Sequence, residues 1–529
     1  MSRAIRDPIH GNVPVKDIAG AVIDTLAFQR LRYVRQNGLL HFVFPGATHT
    51  RFAHSIGAMH VAARVWHQLS KNFAPSKQRH YVGVIFELAA LLHDVGHCAF
   101  SHSIESVQIK GKPLLGSVEE FFASWKEPEL LAAYINAKAA KLEQQTKQAV
   151  ENIAKEDVKH EQIGLILAKR IFAEPKVSDV CKASLGVPGP EVGADVIALM
   201  QLGMPATKNL TDALGEVAST RMNDSYVNAK ANEFARDMLP VLAGLISGTL
   251  DVDRMDYLLR DSFYCGVSYG RIDIEHIIAG LGLATFKGRT YLTVKEKTVL
   301  AIDDLLWSRH QMFLQVYGHK TNVALNRTLQ LALPDMMGDL QELNPPAKDH
   351  EYLEFTDDFV LSKIFSLCFR DKRLGTTNYA RLLARREVPE HLGELRLPTV
   401  TTNPNASEVV AASHELAKKR GVEPSKVLFA PTANEIVKKG LLPSVIVDGR
   451  SGEVELVTYQ SKSSLFPIAD RDAPAPLPAR YVVWHFFTDR SAPLQAADPT
   501  VSGASAEKIS PKNPESLPKI PAARTAKKK

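Results

Sequence analysis

Paired cysteines are the first thing this chain lacks. Its 529 residues hold only Cys98, Cys181, Cys265 and Cys368, scattered without any close spacing. That excludes a disulfide framework and a thiolate zinc site, and it fits a reducing compartment. Long apolar runs are missing too, since no stretch approaches the roughly 18 residues that a membrane span needs. The opening MSRAIRDPIHGNVPV has no apolar core of the kind a secretory signal carries. The expectation is a cytoplasmic protein with no membrane contact. Neither a P-loop nor a dinucleotide-binding glycine fingerprint is present, and no internal repeat recurs.

Strong charge of one sign is also absent from most of the chain. The formal net charge is +6, but residues 490–529 hold eight Lys or Arg against three Asp or Glu, so about +5 of it lies in that stretch. Rich in Pro, Ala, Ser and Lys, this tail cannot bury enough apolar surface to offset the entropy of ordering, and it reads as disordered. Its basicity is the one sequence argument for a nucleic-acid contact.

A hydrophobic content of 45% is enough for a large core, and the length suits two to four structural units. Residues 1–16 read as extended, with a turn at His10-Gly11-Asn12. Apolar spacing predicts helices over 18–35, 51–72, 81–95, 128–157, 222–262 and 296–332, with the strand-like TYLTV at 290–294. Beyond residue 345 the segments KVLFA, SVIVDG, EVELVTY and RYVVWHFF predict strands, and VIVDGRSGEVELV predicts a hairpin. The fold class expected is mainly α. A helical core would occupy residues 1–344, with a helical insertion over 105–158, followed by a smaller α+β C-terminal lobe over 345–489 and the basic tail over 490–529.

Chemistry concentrates in the histidines of the first half. A lone histidine on a helix is usually structural, but ALLHDVGHCAFSH packs three histidines beside one aspartate, with RFAHS upstream and DVDRMDYLLRD downstream. Adjacent residues on a helix point about 100° apart. His93 and Asp94 therefore need help from other segments to meet one ion, which His54 and Asp253 could give. Two imidazoles and two carboxylates make a site for a divalent metal with open positions, and such sites accept iron, manganese, zinc or magnesium.

RFAHS, LLHDVGHCAFSH and DVDRMDYLLRD, in this order, resemble the HD-domain metal-dependent phosphohydrolases. DPIHG, FQRLRYVRQNG and FVFPGATHTRFAHS are similar to the dNTP triphosphohydrolase branch, which includes the SAM-and-HD-domain enzymes. The likeness runs from about Asp7 to about Lys320. It implies a helical HD-domain core, with His54, His93, Asp94 and Asp253 as metal ligands. The metal would lower the pKa of a bound water from about 15.7 toward neutrality and polarise the phosphoryl oxygen.

The resemblance also implies His102 as general acid toward the departing 5′ oxygen, with Glu105 three residues on where the family often has Asp. His160 matches another active-site histidine and His97 a phosphate-proximal one. Arg51, Arg254 and Arg309 fall on phosphate-binding positions, Arg254 replacing a lysine. Gln36, Tyr257 and Asp261 match contacts to the sugar hydroxyl and neighbouring phosphate, and Tyr317 an aromatic beneath the deoxyribose. Phe313 stands where animal enzymes have a histidine near the base, which leaves base preference open. Asp24, Gln29 and Arg32 stand where a guanine-reading trio of a nucleotide-activator site would be, and read equally well as helix surface and core. Arg3 matches a basic position there, whereas Ala4, Arg6 and Asn12 depart from the animal pattern.

The function so implied is hydrolysis of a deoxynucleoside triphosphate at the α-phosphorus, releasing deoxynucleoside and inorganic triphosphate. Magnesium would accompany the nucleotide, and the protein would be a homo-oligomer with a nucleotide activator. Two other readings stay open: an HD-superfamily phosphodiesterase or guanosine polyphosphate hydrolase, and a non-catalytic nucleotide-sensing or nucleic-acid-binding module.

Overall fold

The computed structural model describes residues 3–489, apart from 142–146, 221–230, 287–288, 339–341, 347, 371–378, 398–405, 436–443, 449–453 and 459–479. The expected basic tail therefore lies outside the described residues.

Helices dominate, and the sheets are small. The chain starts with an antiparallel hairpin, Arg3–Asp7 with Gly11–Val15, whose turn uses Gly11 at φ +74°. Asp7 accepts the backbone N–H groups of Ile9 and His10, each at 2.9 Å. One continuous helix was expected over 18–35, but three short pieces form: Asp17–Ile23, Leu26–Gln29 and a 3-10 turn at Arg30–Tyr33. The break is Thr25, whose hydroxyl caps the second piece by accepting from Phe28 N, because a side-chain acceptor there competes with the helical ladder.

The central pair is Arg51–Ser70 and Lys77–Leu92. Close approach is set by glycine: a Cβ on Gly83 would lie 2.4 Å from Trp66 Nε1. Across the first of these helices lies Val252–Cys265, capped by Asp251 through Arg254 N at 2.8 Å and ended by the left-handed Gly266. Gly57 makes that crossing possible, since a Cβ there would meet the Asp256 carboxylate at 1.9 Å. The predicted 222–262 helix is therefore two helices, Ala231–Ile246 and Val252–Cys265, and residues 247–251 between them supply the cap.

The predicted strand at 290–294 forms within Arg289–Lys295 and pairs with Leu281–Phe286. The predicted hairpin also forms, Ser444–Asp448 with Val454–Thr458, but it extends this same sheet, pairing in parallel from Thr293 opposite Ser444. Buried Val445 joins the main apolar core, as do Tyr352, Phe355, Val360 and Ile364 from after residue 345. A second sheet, with Arg480–Thr488 between His391–Leu397 and Val427–Glu435, has its own small core of Leu392, Val409, Val482, Trp484 and Phe486 against the helix Ser407–Arg420.

Candidate metal centre and phosphate cavity

His93 and Asp94 do not sit on a helix, as the sequence pattern implied; they begin the turn that follows Lys77–Leu92, with His93 as its C-cap. The turn frees both side chains to converge. His54 Nε2 lies 3.3 Å from His93 Nε2, 3.0 Å from Asp253 Oδ1 and 3.6 Å from Asp94 Oδ2. His93 Nε2 lies 3.5 Å from both Asp94 and Asp253. Four donors from three segments thus face one point.

The outward nitrogens explain why these donors fit a divalent ion. His93 Nδ1 donates to the Ala90 carbonyl at 2.7 Å and His54 Nδ1 to Asp256 at 2.8 Å, so both Nε2 lone pairs turn inward. Asp256 is itself held by Arg260 at 2.9 Å and by His10 at 2.7 Å, and Arg260 also donates to Asp7 at 2.8 Å. Burial opposes charge on both inner rings, yet the carboxylates win. Asp253 and Asp256 push His54 up to about 10, and Asp94 with Asp253 raise His93. Despite burial, Asp94 and Asp253 stay well below the ordinary carboxylate range, Asp94 because of Arg51 and His93, Asp253 because of His54 and His93. Such a site wants positive charge, which a divalent ion supplies with neutral imidazoles.

A cavity of about 520 Å³ opens from this centre, lined by Asp94, Asp253, His93 and most of the other expected site residues. On one wall His97 and His160 stack with ring centroids 3.7 Å apart, and His102 meets both edge-on at 4.9 and 5.0 Å. Glu105 ties this group together. One oxygen accepts from His102 Nδ1 at 3.2 Å and the other from His160 Nδ1 at 2.7 Å. The paired imidazoles hold this carboxyl well below its usual range although it is largely buried. Burial, Arg51 and His160 keep His97 well below the usual histidine value, hence neutral.

His102 is delivered by strained backbone: Phe100 and Ser101 precede it at φ +57° and +54°, a region costly for residues with a Cβ. The loop is held by Asp357, which accepts from Phe100 N and Arg35 N at 3.3 Å, and by Tyr352, which donates to the Gly96 carbonyl.

The opposite wall carries the sugar-side candidates. Tyr317 donates to Asp261 at 2.6 Å, the other Asp261 oxygen pairs with His49 at 2.6 Å, and Tyr257 stands edge-on to Tyr317 at 6.4 Å. Phe313 and Tyr317 bound a π-helical turn, a geometry frequent at functional sites. Four buried amide atoms on this cavity have no protein partner: Gln36 Oε1, Asn37 Nδ2, Asn322 Oδ1 and Asn326 Oδ1. Buried amides without partners are costly unless a ligand or water meets them.

The arginines are less uniform than expected. Arg51 lines the cavity but is engaged with Asp94, with Ser101 Oγ at 3.0 Å and with the Gln36 carbonyl at 3.2 Å. Arg254 folds back onto the Thr249 carbonyl at 2.6 Å, and neither it nor Arg309 lines the cavity; both stand near Tyr257, whose phenol burial pushes up while these two charges oppose the rise. Away from the cavity, Arg3 pairs with Asp24 at 2.7 Å, Arg32 donates to Gln29 at 2.8 Å, and Gln29 donates to the Ile23 carbonyl at 2.8 Å, next to Asp24 in the chain. Sequence reasoning missed His49, Asp256, Asp357 and the three asparagines. Of these only Asp256 left a signal, being three residues after Asp253 on the same helical face.

Residues 51–258 match the family model described as HD domain. The chain is 25% identical over 460 residues to the uncharacterized protein YwfO of Bacillus subtilis, covering 82% of this chain and 80% of that one. It is 24% identical over 412 residues to the deoxynucleoside triphosphate triphosphohydrolase SAMHD1 of Gallus gallus, 76% of this chain and 58% of that one. An uncharacterized protein of Methanocaldococcus jannaschii is 26% identical over 359 residues, 68% of this chain and 54% of that one. The chain thus spans between half and three fifths of the length of these last two relatives. Among solved structures, a protein from Bacteroides thetaiotaomicron described as a phosphohydrolase superposes with TM-score 0.58 at 20% identity, over 93% of this chain and 100% of that one.

Proposed function

Given an HD domain over residues 51–258, we propose that this chain is a metal-dependent triphosphohydrolase that cleaves deoxynucleoside triphosphates into deoxynucleoside and inorganic triphosphate. The observation that carries the reading is the convergence of His54, His93, Asp94 and Asp253 at one end of a cavity whose walls bear an imidazole–carboxylate cluster and a tyrosine–aspartate cluster. The similarity to SAMHD1 supports the substrate class.

In this reading the divalent ion supplies Lewis acidity at the phosphoryl group and an acidified water. His102 holds a proton at Nε2 for the leaving 5′ oxygen, and Glu105, fixed on Nδ1, orients the ring that donates it. His97, neutral and buried, meets a phosphate oxygen through the nitrogen that lacks a protein partner. The Tyr317 ring packs against the deoxyribose, its hydroxyl fixed by Asp261. Gln36 meets the sugar and Phe313 the base. Arg51 reaches phosphate by sharing its guanidinium between Asp94 and the ligand, while Arg254 and Arg309 act from behind Tyr257.

The test is to incubate metal-loaded protein with each of the four dNTPs, with and without GTP, and resolve the products. Deoxynucleoside and triphosphate are expected. Nucleoside diphosphate with phosphate, or turnover of a phosphodiester or guanosine polyphosphate in preference to every dNTP, overturns the proposal.

A further inference from the structure

We infer that residues 352–357, which lie beyond the matched HD domain, are a strap that positions His102, with Asp357 as its principal residue. The inference rests on the reading of His102 as proton donor and adds what holds that donor in place. His102 opens a helix of only four residues, His102–Glu105, which is too short to fix its own direction. Its aim follows the preceding loop, whose last two residues, Phe100 and Ser101, sit at φ +57° and +54°. Side chains with a Cβ keep such a conformation only where their surroundings over-determine it.

Those surroundings come from the strap and from one arginine. Arg30 donates to the Val95 carbonyl at 2.8 Å, and its guanidinium lies 5.1 Å from the centre of the Tyr352 ring. The Tyr352 hydroxyl in turn donates to the Gly96 carbonyl. At the other end of the loop a single oxygen, Asp357 Oδ2, accepts from Phe100 N and from Arg35 N, each at 3.3 Å. The loop is thus gripped at both ends. Tyr352 and Asp357 are fully buried, so water does not compete for these bonds, and neither residue lines the cavity. Both reach the chemistry only through the loop.

The reaction makes the aim of His102 matter. As water bonds to the α-phosphorus, the P–O5′ bond breaks with its electron pair on the oxygen, which takes the proton from His102 Nε2; the proton released by the water restores the ring. Such a transfer needs the two heavy atoms about 2.6–3.2 Å apart. A displacement of about 1 Å caused by a distant substitution can slow a reaction about a hundredfold. Releasing the loop therefore lowers kcat far more than it raises KM.

The test is a mutant cycle at matched folded fraction and metal content, reading kcat and KM for the preferred dNTP. Asp357→Ala should lower kcat about ten- to a hundredfold and change KM by less than about threefold. Asp357→Asn should recover most of that loss, because one amide oxygen can accept both N–H groups. In a His102→Ala background Asp357→Ala should slow turnover no further, since a donor already removed cannot be misplaced. Tyr352→Phe deletes only the grip on Gly96; it should show the same pattern at smaller amplitude and keeps the test decisive if Asp357→Ala does not fold. Losses that multiply in the double variant, or a rise in KM without a fall in kcat, overturn the strap alone. Full activity of His102→Ala overturns the proton-donor reading, absence of dNTP turnover in the wild type overturns the proposed function, and either result removes this inference with it.

Discussion

Two residues carry opposite demands at the histidine wall of the cavity. His102 must be reachable by substrate, and its exposure makes it a clean probe of the proposed proton transfer. His102→Ala should reduce turnover about a hundred- to ten-thousand-fold while the four-ligand site keeps its metal, measured by single-turnover rates beside metal content. Substantial remaining activity would remove it from the general-acid role. Asp357 is the contrasting case, fully buried under the strained loop that presents His102. Burial pushes its carboxyl up to about 7, against the pull of the Phe100 N–H and the Arg35 charge, with Asp358 adding to the rise. Because the folded state favours the protonated form, this group costs nothing below the ordinary carboxyl value of about 4, and the cost grows until pH passes about 7. Between pH 5 and 8 the wild type should therefore lose on the order of 2–4 kcal/mol from this source. Asp357→Asn should flatten that slope in urea unfolding, and an unchanged slope would contradict the assignment.

Among the elements, the spacing between helices decides the geometry. The His160–Ala173 helix reaches the cavity only because it packs against glycine: a Cβ at Gly96 would lie 2.0 Å from the His160 carbonyl and 2.3 Å from Gly164 N. Both obstacles are backbone, so the helix must retreat as a body. Gly96→Ala should cost about 1–3 kcal/mol by overpacking and also separate His160 from His97 and Glu105, lowering kcat more than an equally destabilising substitution elsewhere. The readout is kcat at matched folded fraction, and a fall explained wholly by unfolding would refute it. The π-helical turn works in a similar way. The Gly318 N–H bonds to the Phe313 carbonyl at 2.7 Å, five residues back, and Asn322 donates to the Tyr317 carbonyl at 2.9 Å, so Phe313 and Tyr317 both border the cavity.

For the whole molecule, the candidate-site cavity is bordered by Leu40, Phe100, Leu165 and Ile246, which belong to one apolar core that includes residues from Val13 to Val445. No helix among the described residues is long and apolar enough to cross a membrane. The basic residues of 490–529 leave the remainder close to neutral, which localises any attraction for nucleic acid. Deleting that stretch should abolish salt-sensitive binding of DNA or RNA while sparing dNTP turnover, measured by titration at two ionic strengths. Retained binding would place the contact on the folded part.

The mainly helical class, the C-terminal strands and the four residues that converge at the candidate metal centre were legible in the sequence. Hydrophobic periodicity reports which face is buried, and His93-Asp94 with His54 and Asp253 are residue types that few other arrangements need. The tertiary structure alone decided the rest. No periodicity announces that Thr25 splits a helix, that the 444–458 hairpin joins a strand some 150 residues earlier, or that Asp357 clamps the loop before His102. Those contacts join residues distant in the chain, and their partners are chosen by packing and by the need to satisfy buried polar groups, which no local pattern encodes. The His93-Asp94 doublet pointed in the sequence to a candidate metal site; the cavity beside it, and the company its histidines keep, exist only in the fold.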